Sequence, residues 1–519
     1  MTPANPYDEV PYPNTPLTVA HPDRLAALGT LHGLTPPPSE RCRVLEVGCG
    51  AGGSLIALAL TLPGSEFIGL DLGAQHIAHG QELAQRLHLA NLRLEQRDLC
   101  TAGPDLGRFD YIIAHGVYSW TPAVTRDRLL GVCNELLTEQ GIAYVSYAAY
   151  PGAYHRRLVR EILMHDAGDR TGRARLDRGR EALDFFADAL PQPERYRAIF
   201  KEEQGVWDRF GPENYLHDNL NDDNHPVWFR EFAAHAAQHG LQFMADLAAP
   251  GVPAYFHPPA VTARLHELAG PDRIAREQYR DYLDGRIFRQ TLLCRAALPI
   301  AAEPQPARVQ GLCVASAARP AAADADVRSA AVAEFRAPDG RMMQTSHPLA
   351  KAALMALGQA WPRTLPFAEL VERAGALVGA GAPTAAAALD LAEFLLIGDS
   401  MDFIRLLAAA PRWVGAVSLR PVASPLARWQ ASQGPALTNA CHQCVRIEDA
   451  VLRRLVQLLD GSRDRGALIE EMARFLEEQG MELRRQGEPV RDPQTLRTIL
   501  AAALEANLEK IARLCLLVG

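Results

Sequence analysis

RVLEVGCGAGGS, residues 43–54, is the stretch on which the reading of this chain turns. An apolar run through Val44, Leu45 and Val47 meets glycines at 48, 50, 52 and 53, the mark of a buried strand that bends sharply into a helix. Two ligand patterns overlap in it. Gly48, Gly50 and Gly53 satisfy G-x-G-x-x-G, the turn that receives a dinucleotide pyrophosphate. Glu46, Gly48, Gly50 and Gly52 satisfy E-x-G-x-G-x-G, which places a carboxylate just ahead of the same turn. The residues around the turn have to decide between them.

Outward from the turn, apolar runs alternate with helical periodicity. CRVLEVG (42–48), EFIGLD (66–71), LRLEQRD (92–98), FDYIIAHG (109–116) and GIAYVSYAAY (141–150) read as buried strands. GSLIALALTL, AQHIAHGQELAQRLHL and VTRDRLLGVCNELL read as the helices between them. Such alternation predicts a doubly wound, Rossmann-like α/β domain whose ligands bind at the carboxyl ends of parallel strands. After the fifth strand come amphipathic helices. LQFMADL (241–247) and RQTLLCRA (289–296) then read as late strands that complete the sheet, making much of 155–239 a helical insertion.

The expected division is a lid or leader at 1–40, a core at 41–154, a helical middle region at 155–239, late strands at 240–296, an Ala- and Pro-rich boundary at 297–332, and a mainly helical accessory or docking domain at 333–519. A chain of 519 residues exceeds one hydrophobic core, in keeping with several domains. Its net charge of -8 offers no general basic field, so nucleic acid is not an expected partner. No apolar run approaches the roughly 18 residues of a membrane span, and the first residues lack the basic and apolar regions of a signal peptide. A cytoplasmic location without membrane insertion is the expectation. Nine scattered cysteines argue against a disulfide framework.

Electrostatics separates the ligands. A pyrophosphate on the helix N-terminus would be repelled by Glu46, whereas S-adenosylmethionine (SAM), with an ammonium group and a sulfonium and no phosphate, would be attracted. Asp71, ending the second strand with Leu72 after it, suits ribose hydroxyls of either ligand. Asp98, ending the third strand with Leu99 after it, stands where an adenine amino group would arrive. Three acidic residues at three consecutive strand ends favour SAM, the plain rival being that each caps the helix that follows.

With these residues the chain resembles the class I SAM-dependent methyltransferases, and in particular bacterial proteins with a methyltransferase regulatory domain, the group that includes the rickettsial outer-membrane-protein lysine methyltransferases. The resemblance rests on NPYDEVPYPNTP, HPDRLAALGTLHGL, CRVLEVGCGAGGSLI, FDYIIAHGVYSWTP, AYVSYAAYPG and REQYRDYLDGRIFRQTLLC. It implies a seven-stranded sheet, SAM as methyl donor, a helical middle domain near the substrate entrance, a C-terminal docking domain with winged-helix-like parts, and a lysine-bearing protein or peptide as partner. Homodimer assembly is left open. One departure is YAAYPG, where YNTYPG is usual, so Ala148 and Ala149 replace an Asn and a Thr.

Acceptor groups should come from the ends of the fourth and fifth strands. His115, Tyr118 and Trp120 follow the fourth, and Tyr147, Tyr150 and His155 surround the end of the fifth. Tyr and Trp can wall a lysine stem and hold a methylammonium by cation–π attraction, and His115 can serve the adenosyl part or the departing proton. The rival reading packs Tyr118 and Trp120 against the next helix. Tyr7, Tyr12, His21 and Arg24 form a candidate lid, with Arg24 reaching the SAM carboxylate. No metal is expected. CHQC (441–444) lacks a second ligand pair, and HDNLNDDNH (217–225) lacks the Gly and Glu of a calcium loop and reads as a solvated acidic loop. Methylation of a small molecule or biosynthetic peptide, a SAM-binding scaffold without catalysis, and a dehydrogenase are the competing functions.

Overall fold

The computed structural model describes residues 9, 10, 12, 14–189, 193–247, 257–322, 325–379, 381–410, 414, 416–481 and 492–519, and the backbone of 484–485 and 488–489. The chain forms two compact units: Met1–Asn14 with Leu28–Gln305, and Thr15–Ala27 with Pro306–Gly519.

The first unit is built on seven strands: β1 (Arg43–Val47), β2 (Glu66–Asp71), β3 (Leu92–Gln96), β4 (Phe109–Ala114), β5 (Leu137–Ala148), β6 (Leu241–Asp246) and β7 (Phe288–Arg295). They lie in the order β3-β2-β1-β4-β5-β7-β6. β1 to β5 are parallel, β7 is antiparallel to β5, and β6 is antiparallel to β7. Val44, Leu45 and Val47 of β1 and Ile112, Ile113 and Ala114 of β4 are buried, as a strand covered on both faces requires. The chain leaves β1 for β2 on one side and returns to place β4 on the other. A crevice therefore opens at the carboxyl ends of β1 and β4, the switch point where ligands of such sheets bind.

β5 begins earlier than its apolar run suggests. Helix Ala123–Leu136 passes into it without a loop, and its pairing with β4 shifts register between Phe109 and Tyr111, which accommodates the polar residues Thr138 to Gln140. Between β5 and β6 stand helices Ala153–Ala167, Gly172–Asp188, Glu194–Phe210, Pro212–Asn219 and Phe229–Gln238. The first four share a core of Val159, Leu163, Leu183, Phe200, Trp207 and Leu216, which also takes in Val10. The stretch 217–225 is not the expected solvated loop. It begins inside helix Pro212–Asn219 with His217, Asn219 and Leu220 buried, and its acids are engaged, Asp222 with Arg175 at 2.8 Å and Asp223 with His225 at 3.0 Å.

The late strands are locked by a buried ionic cluster. Arg289 of β7 is fully buried, pairs with Asp281 at 2.9 Å and Glu277 at 3.3 Å on helix Arg273–Asp284, and lies 3.8 Å from the Phe229 ring.

The second unit carries a three-stranded sheet in which Ala333–Arg336 and Met342–Thr345 form a hairpin around Asp339 and Gly340, with Arg319–Pro320 at its edge. Helices Pro425–Gln433, Ala450–Leu458, Arg465–Glu478 and Pro493–Arg513 pack through Leu452, Leu455, Leu468, Leu508 and Ile511, beside the hairpin Ala436–Thr438 and Cys444–Arg446. CHQC runs from the turn of that hairpin into its second strand, with Cys441 buried and Cys444 exposed. His21 and Arg24 belong to this unit. The Arg24 guanidinium pairs with the buried Asp399 at 2.5 Å, and the His21 ring packs 5.5 Å from that of His442. Arg24 thus has a carboxylate partner of its own within this unit. Tyr7 lies outside the described residues.

Candidate active site

The turn after β1 is held to β2 by backbone: the N–H groups of Gly48 and Cys49 donate to the Leu70 carbonyl at 2.8 and 3.1 Å. Gly48, Gly50 and Gly52 have φ of +70°, +55° and +72°, conformations that disfavour any side chain. A Cβ on Gly52 would meet the Leu94 side chain at 2.9 Å and one on Gly48 would meet Val117 at 2.8 Å, whereas one on Gly50 would meet nothing within 4 Å. Gly50 is therefore where the turn opens to a ligand. Asn14 closes the turn from the N-terminal side, its Oδ1 accepting from the Gly53 N–H at 2.6 Å.

Glu46 sits beneath this turn, 7% exposed, and its Oε2 has no hydrogen-bond partner among the described residues. Burial, and then the nearby charge of Asp71, push its carboxyl up to about 8. A buried polar atom left unpaired is costly, and a donor or cation arriving at the turn would relieve that cost. Asp71 is oriented by the turn itself: Oδ2 accepts from the Gly50 N–H at 2.8 Å and Oδ1 from the Gly73 N–H at 2.7 Å. Leu72 beside it is 63% exposed. Asp98 is exposed and caps the short helix Leu99–Thr101, its Oδ1 accepting from the Cys100 N–H at 2.8 Å. The Leu99 side chain is part of the core, so any contact it makes with a ligand here is through its backbone. Two carboxylates at the turn, one short of a partner, fit a phosphate-free cation and oppose a pyrophosphate.

Across the crevice, the His115 Nδ1 lies 2.9 Å from the Tyr144 hydroxyl, which donates to Gln290 Oε1 at 3.0 Å. With the phenol proton directed at Gln290, His115 donates from Nδ1 and its Nε2 is left as an acceptor. Burial lowers this imidazole to about 4, so it is neutral near pH 7. The Gly116 N–H is anchored on Ser146 Oγ at 2.9 Å. Trp120 packs 6.3 Å from Phe288, the ring that His115 also meets at 5.9 Å, and its indole N–H donates to the Asp218 carbonyl at 2.9 Å. The Tyr12 hydroxyl reaches Asp218 Oδ1 at 3.5 Å, and burial pushes that carboxyl up to about 6.

Tyr118 and Tyr147 are not on this wall. Both belong to the core, with their rings 5.0 and 4.0 Å from Phe232. The Tyr118 hydroxyl lies 2.8 Å from His235 Nδ1, and that of Tyr147 lies 2.9 Å from Thr291 Oγ1. Their size and position next to the strand ends suggested an acceptor role; their partners, distant in sequence, turn them inward. Tyr150 is largely buried, stacked on Tyr154 at 4.3 Å and near Trp228 at 5.4 Å, with its hydroxyl accepting from Arg157 at 2.8 Å. His155 is exposed. The Ala148 carbonyl and the Ala149 N–H are engaged by Val227 and Ile287, at 3.1 and 2.9 Å, so here the YAAYPG stretch acts through its backbone. Asn14, Tyr144, Ser146, Asp218 and Phe288 were not singled out from the sequence, and no local pattern marks them.

The sheet order and the acidic glycine turn define a class I methyltransferase fold. Family profiles match a methyltransferase domain over residues 45–143, a predicted methyltransferase regulatory domain over 212–295, and the PKMT C-terminal winged helix domain over 420–516. Two uncharacterized proteins of Rickettsia prowazekii are similar: one is 36% identical over 298 residues, covering 57% of this chain and 54% of the relative, and the other is 34% identical over 228 residues, covering 44% and 91%. The chain thus spans about half the length of the first of these relatives. The structure of PKMT2 from Rickettsia typhi in complex with AdoHcy superposes with a TM-score of 0.84 at 25% identity, over 98% of this chain and 100% of that one. The chain belongs to the SAM-dependent methyltransferases that join a methyltransferase regulatory domain to a PKMT-type C-terminal winged helix.

Proposed function

We propose that this protein transfers the methyl group of SAM to lysine side chains of a protein substrate. The observation that carries the donor side is Glu46, a buried carboxyl beneath a glycine turn with one oxygen unpaired among the described residues. The acceptor is supported by the likeness to PKMT2, read as a protein lysine methyltransferase, and by the aromatic and neutral-imidazole wall past β4.

Bound SAM would supply a methyl group on a sulfonium that an amine can displace. Glu46, once ionised, balances the cationic end of the ligand. Asp71 accepts from ribose hydroxyls, and Asp98 receives the adenine edge. On the other side Trp120 and Phe288 hold the aliphatic stem of the lysine, and His115 Nε2 accepts a hydrogen bond from the incoming ammonium. An amine attacks only in its neutral form, and a lysine entering a partly dry, cationic site loses its proton more readily than in water, where its pKa is near 10.4. The chain's own contribution is alignment and field.

Incubation with isotope-labelled SAM and a bacterial lysate, followed by mass spectrometry, tests this directly. Methylated lysine in protein is the expected result. Label confined to small molecules or short peptides would remove the lysine acceptor. No label, with SAM binding intact by calorimetry, would leave a scaffold, and failure to bind SAM would overturn the donor assignment.

A further inference from the structure

We propose that Asp127, His235 and His239 form a binding site for a divalent transition-metal ion of the zinc type, which clips the regulatory region to the methyltransferase sheet. His235 and His239 are four residues apart at the end of helix Phe229–Gln238, so their side chains project from one face. Asp127 faces them from helix Ala123–Leu136. One donor atom from each of the three lies within 4.8 Å of the others. Asp127 Oδ1 is 3.3 Å from His235 Nε2 and 2.9 Å from His239 Nε2. Ligands around tetrahedral zinc, at bond lengths near 2.0–2.1 Å, stand about 3.3 Å apart, so the ion needs only small rotations of these side chains.

A second observation comes from behind the histidines. The Tyr118 hydroxyl, held in the core, lies 2.8 Å from His235 Nδ1. It fixes that ring so that Nε2 faces Asp127, the outer-shell arrangement that orients metal-ligating imidazoles. Two imidazole nitrogens and a carboxylate oxygen suit zinc, nickel or cobalt better than calcium or magnesium. Asp127 is exposed, which leaves a fourth position for water. The ion would join a helix of the methyltransferase match (45–143) to one of the regulatory match (212–295). Through Tyr118, the residue two before Trp120, it would also steady the wall past β4.

The test is a calorimetric titration of the metal-free full chain with zinc, beside His239→Gln and Asp127→Asn, and His79→Ala as a control on an exposed histidine elsewhere. One ion per chain is expected, weakened at least tenfold in the first two variants and unchanged in the third. Zinc should raise the melting temperature of the parent but not of those two variants. Cobalt should give a spectrum without thiolate-to-metal charge transfer. No binding in the parent would overturn the proposal: the carboxylate would then simply bridge two imidazoles. Equal binding in all variants, or a thiolate band, would overturn it by placing the ion on cysteines.

Discussion

Past β1 and β2 the crevice is lined by backbone and carboxylates fixed by close neighbours in the chain, whereas past β4 and β5 it is lined by rings whose anchors are far away. Gly50 and Asp71 are 21 residues apart, and Asp98 and the Cys100 N–H it caps are 2 apart. On the other side, Trp120 and its carbonyl acceptor are separated by 98 residues, and Tyr144, which holds His115, and Gln290 by 146. The donor side is thus largely a product of the sheet. The wall past β4 and β5, the proposed acceptor side, exists only once the inserted helices and late strands have packed.

The largest effect should follow from breaking the link between late strands and insertion. Arg289→Ala removes the fully buried guanidinium that Asp281 and Glu277 share and leaves them only the more peripheral Arg286 and Arg280, at a cost of about 3 kcal/mol in a denaturant melt of the first unit. Arg97→Ala, whose partner Asp105 is exposed on the donor side, should leave the midpoint where it was. Equal losses would erase the contrast between a sheet-built half and a network-built half.

Next in size is Glu46→Gln. A charge-assisted contact is worth about 1.5–3 kcal/mol, so the variant should bind SAM roughly 10- to 100-fold more weakly above pH 8. The sign with pH is fixed by the raised carboxyl, which is protonated below about 8, while a cationic ligand wants it ionised. Parent affinity should therefore climb with pH, by at most about tenfold per unit, and level off above 8. The variant should show no such climb. A parent titration that is flat from mildly acidic pH up to 8 would remove Glu46 from the cationic end of the ligand.

Trp120→Ala should lower kcat/KM about tenfold, the scale of one cation–π and packing contact. Tyr147→Phe should leave it within about twofold while costing about 1 kcal/mol of stability for one buried hydrogen bond. Reversal of these two would return Tyr147 to the acceptor wall.

The same division explains what the sequence disclosed. The turn, the strand ends and the carboxylates were legible because strand period and glycine spacing are local properties. Placing Tyr118 and Tyr147 required knowing that Phe232, His235 and Thr291 would come back to meet them, which no window of the chain contains. Arg24 looked like a ligand for an anion because its carboxylate partner, Asp399, is 375 residues further on. Asp127 and its histidines escaped notice for the same reason, at separations of 108 and 112.

Asp98 lies on the legible side, its cap is in the structure and its adenine contact is a proposal, and separating the two is the smallest and sharpest test. As a cap it needs only an oxygen to accept from the Cys100 N–H; as a reader of adenine it needs a carboxylate. Asp98→Ser keeps the first and removes the second. If the adenine contact is real, the serine variant melts with the parent but binds SAM several-fold more weakly, in line with the loss of about 1 kcal/mol in one hydrogen bond, and Asp98→Ala loses both stability and affinity. If Asp98 is a cap alone, serine matches the parent in both measurements and alanine loses stability only. The donor side would then rest on Glu46 and Asp71, two carboxylates already tied to the same turn, and the edge strand β3 would contribute packing through Leu94 rather than recognition.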